Sequence, residues 1–152
     1  MQPFELRGYV YFQLDEVTAA LADFSNWIEE RTAADDKDDL ADAYATRGKW
    51  FEKLKSYDLA IEQYNASMKI VPSSKHVFSR ARCLGKLGEY ADAIKDINNF
   101  LANEQEPQAI NFYTRAGFYK FAGNLGKAKE DLDRAEKLLQ QGANQSLSLI
   151  HI

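Results

Sequence analysis

The residues that could do chemistry in this chain are few. There are two histidines, His76 and His151, and one cysteine, Cys83. A zinc site takes about four thiolate or imidazole ligands, and this stock barely begins to supply them. Nucleophilic catalysis needs a Ser or Cys beside a His that a third group orients, and no such set can be assembled. Cys83 stands one turn before Leu87 on an apolar stripe, the setting of a buried structural thiol. His76 sits near a helix start with no Cys partner, and His151 lies in the tail. Gly123-Asn124-Leu125-Gly126-Lys127 lacks the spacing of a phosphate-binding loop. The acidic run Asp35-Asp36-Lys37-Asp38-Asp39 lacks the Gly and final Glu of a calcium-binding EF-hand loop. We therefore expect no enzyme, no cofactor and no metal. The remaining chemistry is that of cations and aromatic rings, which bind rather than react.

Composition narrows the class of fold. The chain has 152 residues, of which 45% are hydrophobic, so it is long and apolar enough for a folded core. Only 3 prolines and 8 glycines argue against a turn-rich all-β fold. Lys plus Arg number 19 against 23 Asp plus Glu, a net charge of −4, which weighs mildly against a dedicated nucleic-acid binder. The N-terminal MQPFELRGYVYFQ has neither a basic start nor a long apolar run, and nowhere do about 18 apolar residues follow one another. No signal peptide or membrane span is expected, and a cytoplasmic location follows.

Self-similarity then organises the chain. Ala20, Ala60, Ala93 and Ala128 recur at spacings of 40, 33 and 35. In that register Gly8, Gly48, Ala81 and Ala116 form a column of small residues. Tyr11, Phe51, Leu84 and Tyr119 form a large apolar column, and so do Phe24, Tyr64, Ile97 and Leu132. The units are 1–34, 41–73, 74–108 and 109–142, with an acidic insertion at 35–40 and a tail at 143–152. Each unit reads as two helices. Tyr44, Gly48, Phe51 and Leu54 lie on one helical face, and Tyr57, Ala60, Ile61, Tyr64 and Met68 on another, ended by Pro72. The breaks fall at Lys55-Ser56, Leu87-Gly88-Glu89 and Ala122-Gly123-Asn124. Glycine there can take the left-handed conformation that ends a helix. Gly48 is expected to face Ala60 and let the helices approach closely.

This pattern resembles the tetratricopeptide repeat, whose period is about 34 residues. The resemblance covers 1–142 and is strongest in the second unit, through Tyr44, Gly48, Phe51, Tyr57, Ala60, Tyr64 and Pro72. The third unit has Val77 in place of the early aromatic. The first has Asp15 for the turn glycine and Thr32 for the terminal proline. The resemblance implies an all-α, right-handed α-solenoid of four helix-turn-helix repeats, with a concave groove lined by the first helix of each pair.

Where the family usually has Leu, all four units carry arginine: Arg7, Arg47, Arg80 and Arg115. Asp23, Gln63, Asp96 and Asp131 stand opposite in the second helices. The acid column favours structural pairs over a ligand-binding row, and Gln63 makes Arg47 the exception. The groove stripe carries six bases, Lys49, Lys53, Lys75, Arg82, Lys86 and Lys120, against three acids, Glu5, Asp42 and Glu52. Tyr9, Phe12, Phe78, Tyr113 and Phe121 flank the bases. Such a face suits a peptide with acidic and apolar side chains and marks an interaction scaffold or adaptor. Single-stranded RNA, with bases stacked between cations, is the alternative.

Some family members hold the C-terminal carboxylate of heat-shock chaperones with a clamp of Lys, Asn, Asn, Lys and Arg. Here the matching positions hold Glu5, Tyr9, Thr46, Lys75 and Ser79, or, one unit later, Ala45, Lys49, Ser79, Ile110 and Thr114. Neither set forms that clamp. Gly142 is expected to stop the last helix. The apolar tail after it either folds back on the open end of the fourth repeat or is a truncation scar or non-native extension. An uncapped end could self-associate.

Overall fold

Leu54, Leu87 and Ala122 each end a helix, and the three turns that follow share one geometry. Lys55, Gly88 and Gly123 adopt φ of 60°, 83° and 81°. The next amide reaches back to close the helix end: Ser56 N donates to Phe51 O at 2.9 Å, Glu89 N to Leu84 O at 2.9 Å and Asn124 N to Tyr119 O at 2.8 Å. This is the Schellman arrangement, which needs a left-handed residue at its second-last place. Glycine supplies it twice, as the sequence implied, and lysine once.

The computed structural model describes residues 17–72 and 74–150, with side chains for 18–72 and 76–142. Among the described residues there are seven α-helices and no strand. They are α1 (Val17–Ala33), α2 (Lys37–Lys53), α3 (Tyr57–Ile70), α4 (Ser74–Lys86), α5 (Tyr90–Asn103), α6 (Ala109–Phe121) and α7 (Leu125–Ile150). The pairs α2/α3, α4/α5 and α6/α7 are the second, third and fourth units, and α1 is the second helix of the first. Tyr9, Phe12 and Arg7 lie outside the described residues, and so does the side chain of Lys75. None of the described helices is long and apolar enough to cross a membrane.

The chain divides into two compact units, Met1–His76 and Val77–Ile152. In the first, Phe24, Trp27 and Ile28 of α1 pack with Ala43 and Trp50 of α2, and Leu40 and Tyr44 join from the edge. The Phe24 ring centroid lies 5.7 Å from that of Trp50. Tyr64 of α3 is fully buried and stacks on the His76 ring at 6.3 Å. Ser67 donates to Ala41 O at 2.7 Å and lies 3.1 Å from His76 Nδ1. Since the single hydroxyl proton goes to the carbonyl, Nδ1 must donate to Ser67, which fixes the tautomer. His76 is therefore a buried bridging residue. In the second unit Ala81, Cys83, Ala93 and Ile97 are fully buried, so Cys83 is the structural thiol expected.

Three expectations can be set against the helices. First, residues 35–38 of the acidic insertion lie exposed, and the segment from Lys37 onward is helical. Asp35 takes φ 52°, Asp36 caps α2 by accepting from Asp39 N at 3.1 Å, and the helix starts at Lys37. Carboxylates suit a helix N-terminus, where unpaired amides carry partial positive charge. Asp39 also accepts from Arg31 at 3.2 Å, tying α1 to α2. Second, Gly142 does not stop the last helix, because α7 runs on to Ile150. Glycine inside a helix costs about 1 kcal/mol relative to alanine, which weakens but does not forbid it. The tail through Ile150 thus continues α7 and does not fold back at 142. Third, Gly48 lies against Tyr64, one turn beyond the Ala60 it is expected to face: a Cβ there would lie 3.0 Å from the Tyr64 ring.

Lys55 bears the one lysine φ in the left-handed region among these turns, a conformation costing a non-glycine residue roughly 1–2 kcal/mol. Lys55→Gly is expected to raise unfolding stability by about 1 kcal/mol in urea titration. Gly85→Ala should do the reverse, since its Cβ would overlap the Phe118 ring. We expect a loss of about 1–3 kcal/mol, the usual cost of overpacking.

Candidate peptide-binding surface

The arginine column is resolved by side-chain geometry. Arg80 Nε and Nη2 donate to the two Asp96 oxygens at 2.7 and 2.6 Å. Arg115 Nε and Nη2 donate to those of Asp131, both at 2.7 Å. Both are planar two-pronged contacts joining the two helices of one repeat. Arg115 Nη1 also donates to Asn98 at 2.8 Å, linking α6 to α5. The hydrogen bond to its aspartate raises each guanidinium above the ordinary arginine value, against desolvation that lowers it. The stabilisation tied to that raised value is complete below the ordinary arginine pKa and is lost only as pH climbs through the raised one. These arginines are structural, and they stay charged throughout the ordinary pH range. In α2 the pattern breaks, as the Gln63 substitution implied. Arg47 Nε and Gln63 Oε1 are both buried without a hydrogen-bond partner. The Arg47 guanidinium instead lies 5.6 Å from the Phe51 ring centroid.

The expected groove residues fall into separate settings. In the first unit Lys49 and Lys53 are exposed on α2, and Lys53 Nζ stands 4.4 Å over the buried Trp50 ring. Glu52, one of the stripe's acids, accepts from the Tyr64 hydroxyl at 3.0 Å and so serves the hairpin. In the second unit Arg82 and Lys86 are exposed one turn apart on α4. Arg82 lies 5.9 Å from the Phe78 ring, which is half-buried against Phe100 at 5.1 Å. Phe121 is 67% exposed yet stacks on Tyr90 at 5.4 Å. Tyr113 and Lys120 line a different feature, a cleft of about 420 Å³ between α6 and α7. Its other walls are Ala116, Gly117, Leu125, Ala128, Lys129 and Leu132. Trp50 and Tyr90, which carry cation or ring contacts beside these residues, were not among the expected groove residues. Trp50 falls in the Cys83 column and reads as core, while Tyr90 opens a second helix and is reached only through its contacts with α6.

No family model matches the chain. It is 34% identical over 86 residues to small glutamine-rich tetratricopeptide repeat-containing protein 2 of Saccharomyces cerevisiae, covering 56% of this chain and 24% of that protein. It is 34% identical over 83 residues to the Hsp70-Hsp90 organizing protein of Triticum aestivum, covering 54% of this chain and 14% of that protein. The chain thus spans about a quarter or less of the curated relatives it matches. A crystal structure of a tetratricopeptide repeat protein from Parabacteroides merdae superposes with a TM-score of 0.63 at 22% identity, over 89% of this chain and 50% of that one. This chain has the fold of a tetratricopeptide repeat protein. The all-α fold and the helix-turn-helix units match that structure, and in this chain Arg–Asp pairs join the two helices of a unit.

Asp131 is 2% exposed and Asp96 10%, so the two pairs can be ranked. Asp131→Ala is expected to cost about 3–5 kcal/mol, since it strands a half-buried guanidinium, and Asp96→Ala less. Gln63→Asp should give Arg47 the missing carboxylate and raise stability on the order of 1–2 kcal/mol. Chemical denaturation of the three variants at pH 7 checks both the ranking and the sign.

Proposed function

We propose that this tetratricopeptide array is a non-enzymatic interaction scaffold of the cytoplasm that holds a peptide segment of a partner protein on the cations and rings of its first helices. The observation that carries this reading lies within the second unit: Arg82 and Lys86 are exposed one turn apart on α4, with Arg82 beside Phe78. Placing like charges one turn apart is mildly unfavourable for a helix by itself. An acidic partner relieves that repulsion, and apolar side chains of the same partner gain contact with the adjoining rings. The relatives support scaffolding in general: both are larger proteins in which a segment like this one is one part. The wheat relative's name ties that protein to Hsp70 and Hsp90. In this chain Ala45, Ser79, Ile110 and Thr114 stand where a carboxylate clamp needs amide and cationic groups. The ligand is therefore read by its internal acidic and apolar side chains and not by a terminal carboxylate.

The test is fluorescence anisotropy with a labelled peptide that alternates Glu with Leu and Phe, compared with its Gln analogue. The Glu peptide should bind at least tenfold tighter at low salt, and Arg82→Glu with Lys86→Glu should remove that advantage while leaving helicity by circular dichroism intact. Amidating the peptide's C-terminus should change nothing. Equal affinity for both peptides, or an unaffected double variant, sinks the groove assignment.

A further inference from the structure

Arg47 keeps the setting of its counterparts but lacks their anion. Gln63 follows it by 16 residues, the offset that also separates Arg80 from Asp96 and Arg115 from Asp131. The Arg47 guanidinium lies 5.6 Å from the ring centroid of Phe51, four residues on. That of Arg115 lies 5.8 Å from the ring of Tyr119, again four residues on. A ring one turn away thus stands beside both guanidinium groups, whether or not a carboxylate faces them. At Arg115 the fork is filled by the two oxygens of Asp131, both at 2.7 Å. At Arg47 the Nε proton is buried and unmet, and so is Gln63 Oε1 on the facing helix. One is a donor and the other an acceptor, yet they do not pair, so the amide does not stand in for the carboxylate. Glu52, an acid of the same helix, is taken up by the Tyr64 hydroxyl at 3.0 Å.

We propose that the α2/α3 hairpin carries a carboxylate-binding site at Arg47, in the place that an aspartate fills in two other repeats. A ligand carboxylate would accept from Nε and one terminal nitrogen of Arg47, as Asp96 and Asp131 do at their arginines. The two flat groups match bond for bond, which favours a carboxylate over a single-point anion. Gln63 adds amide N–H donors beside it. Arg47 and Gln63 are both half-buried, so the site is partly open to water and partly shielded from it. Shielding strengthens an ion pair, and the unpaired Nε proton gains the acceptor it lacks. Gln63 Oε1 gives up no hydrogen bond when its side chain turns aside to admit the ligand. Charge adds to this: Arg80 and Arg115 are already neutralised by their aspartates, whereas Gln63 leaves the Arg47 charge unopposed within its pair. The inference stands apart from the α4 reading, since it concerns another helix pair and a single guanidinium.

The experiment follows the arginine Nε–H resonances of the isotope-labelled whole chain by NMR while sodium acetate is added. Sodium chloride at equal ionic strength is the reference. The Arg47 resonance should move at least threefold further with acetate than with chloride. Those of Arg80 and Arg115 should hold still, because Asp96 and Asp131 already fill their forks. Gln63→Asp supplies an internal carboxylate, so in that variant the Arg47 resonance should lie near the other two and stop responding. By linkage, acetate should also raise the urea midpoint of the unaltered chain more than that of Gln63→Asp. A second arm replaces acetate with a Gly-Glu-Gly peptide blocked at both ends, whose carboxylate is a side chain. A matching response supports the site as one for acidic side chains of a partner protein, and a response to acetate alone supports it as one for free small carboxylates. An Arg47 resonance that stays still, that moves equally in acetate and chloride, or that still answers acetate in Gln63→Asp overturns the proposal. Arg82→Glu with Lys86→Glu should leave the Arg47 response unchanged, and a lost response there assigns the anion to α4 and overturns it too.

Discussion

A hairpin of two helices in this chain has an apolar face that it cannot cover by itself. The second helix of a pair presents a large side chain outward, and water is excluded from it only when a ring of the following first helix arrives. Phe24 under Trp50, Tyr64 under His76 and Tyr90 under Phe118 and Phe121 are three instances of the same closure. Small residues make it possible: the Phe118 ring occupies space that a side chain at Gly85 would take. The core is therefore a series of short contacts between neighbours, and each is local in sequence. At the corresponding place Ile97 is fully buried and Leu132 is 41% exposed.

The Arg–Asp column acts at right angles to that packing, between the two helices of one repeat. A guanidinium meeting a carboxylate through two parallel bonds fixes distance and rotation together, which an aliphatic contact at the same place does not. Desolvation opposes the charged arginine, and the aspartate outweighs it at Arg80 and Arg115. At Arg47 the acid is replaced by Gln63, and Arg47 Nε and Gln63 Oε1 are left without a hydrogen-bond partner. One repeat thus lacks the polar fastening that two others have.

Fold and function separate cleanly here. Tetratricopeptide arrays are a frame on which different surfaces are displayed, so the frame alone names no ligand. The surface of this chain carries exposed cations on α2 and α4 and an open apolar cleft between α6 and α7.

Much of this was legible in the residues. The alanine, small-residue and arginine columns mark helix faces because a helix repeats every 3.6 residues whatever surrounds it. Gly88 and Gly123 mark turns because few other residues take positive φ. Lys55 was not legible as such a turn residue, since only its context enforces the conformation. Asp36 reads as solvated acid until a helix start is placed beside it. Gly142 reads as a stop, and a cost of about 1 kcal/mol is too small to end a helix by itself. Tyr113, Lys120 and Leu132 show the limit most plainly. Sequence alone determined that they lie on particular faces of their helices, because periodicity is a property of the single chain. Only the tertiary structure decided that they line one cleft between α6 and α7, because which faces meet depends on how the two helices pack.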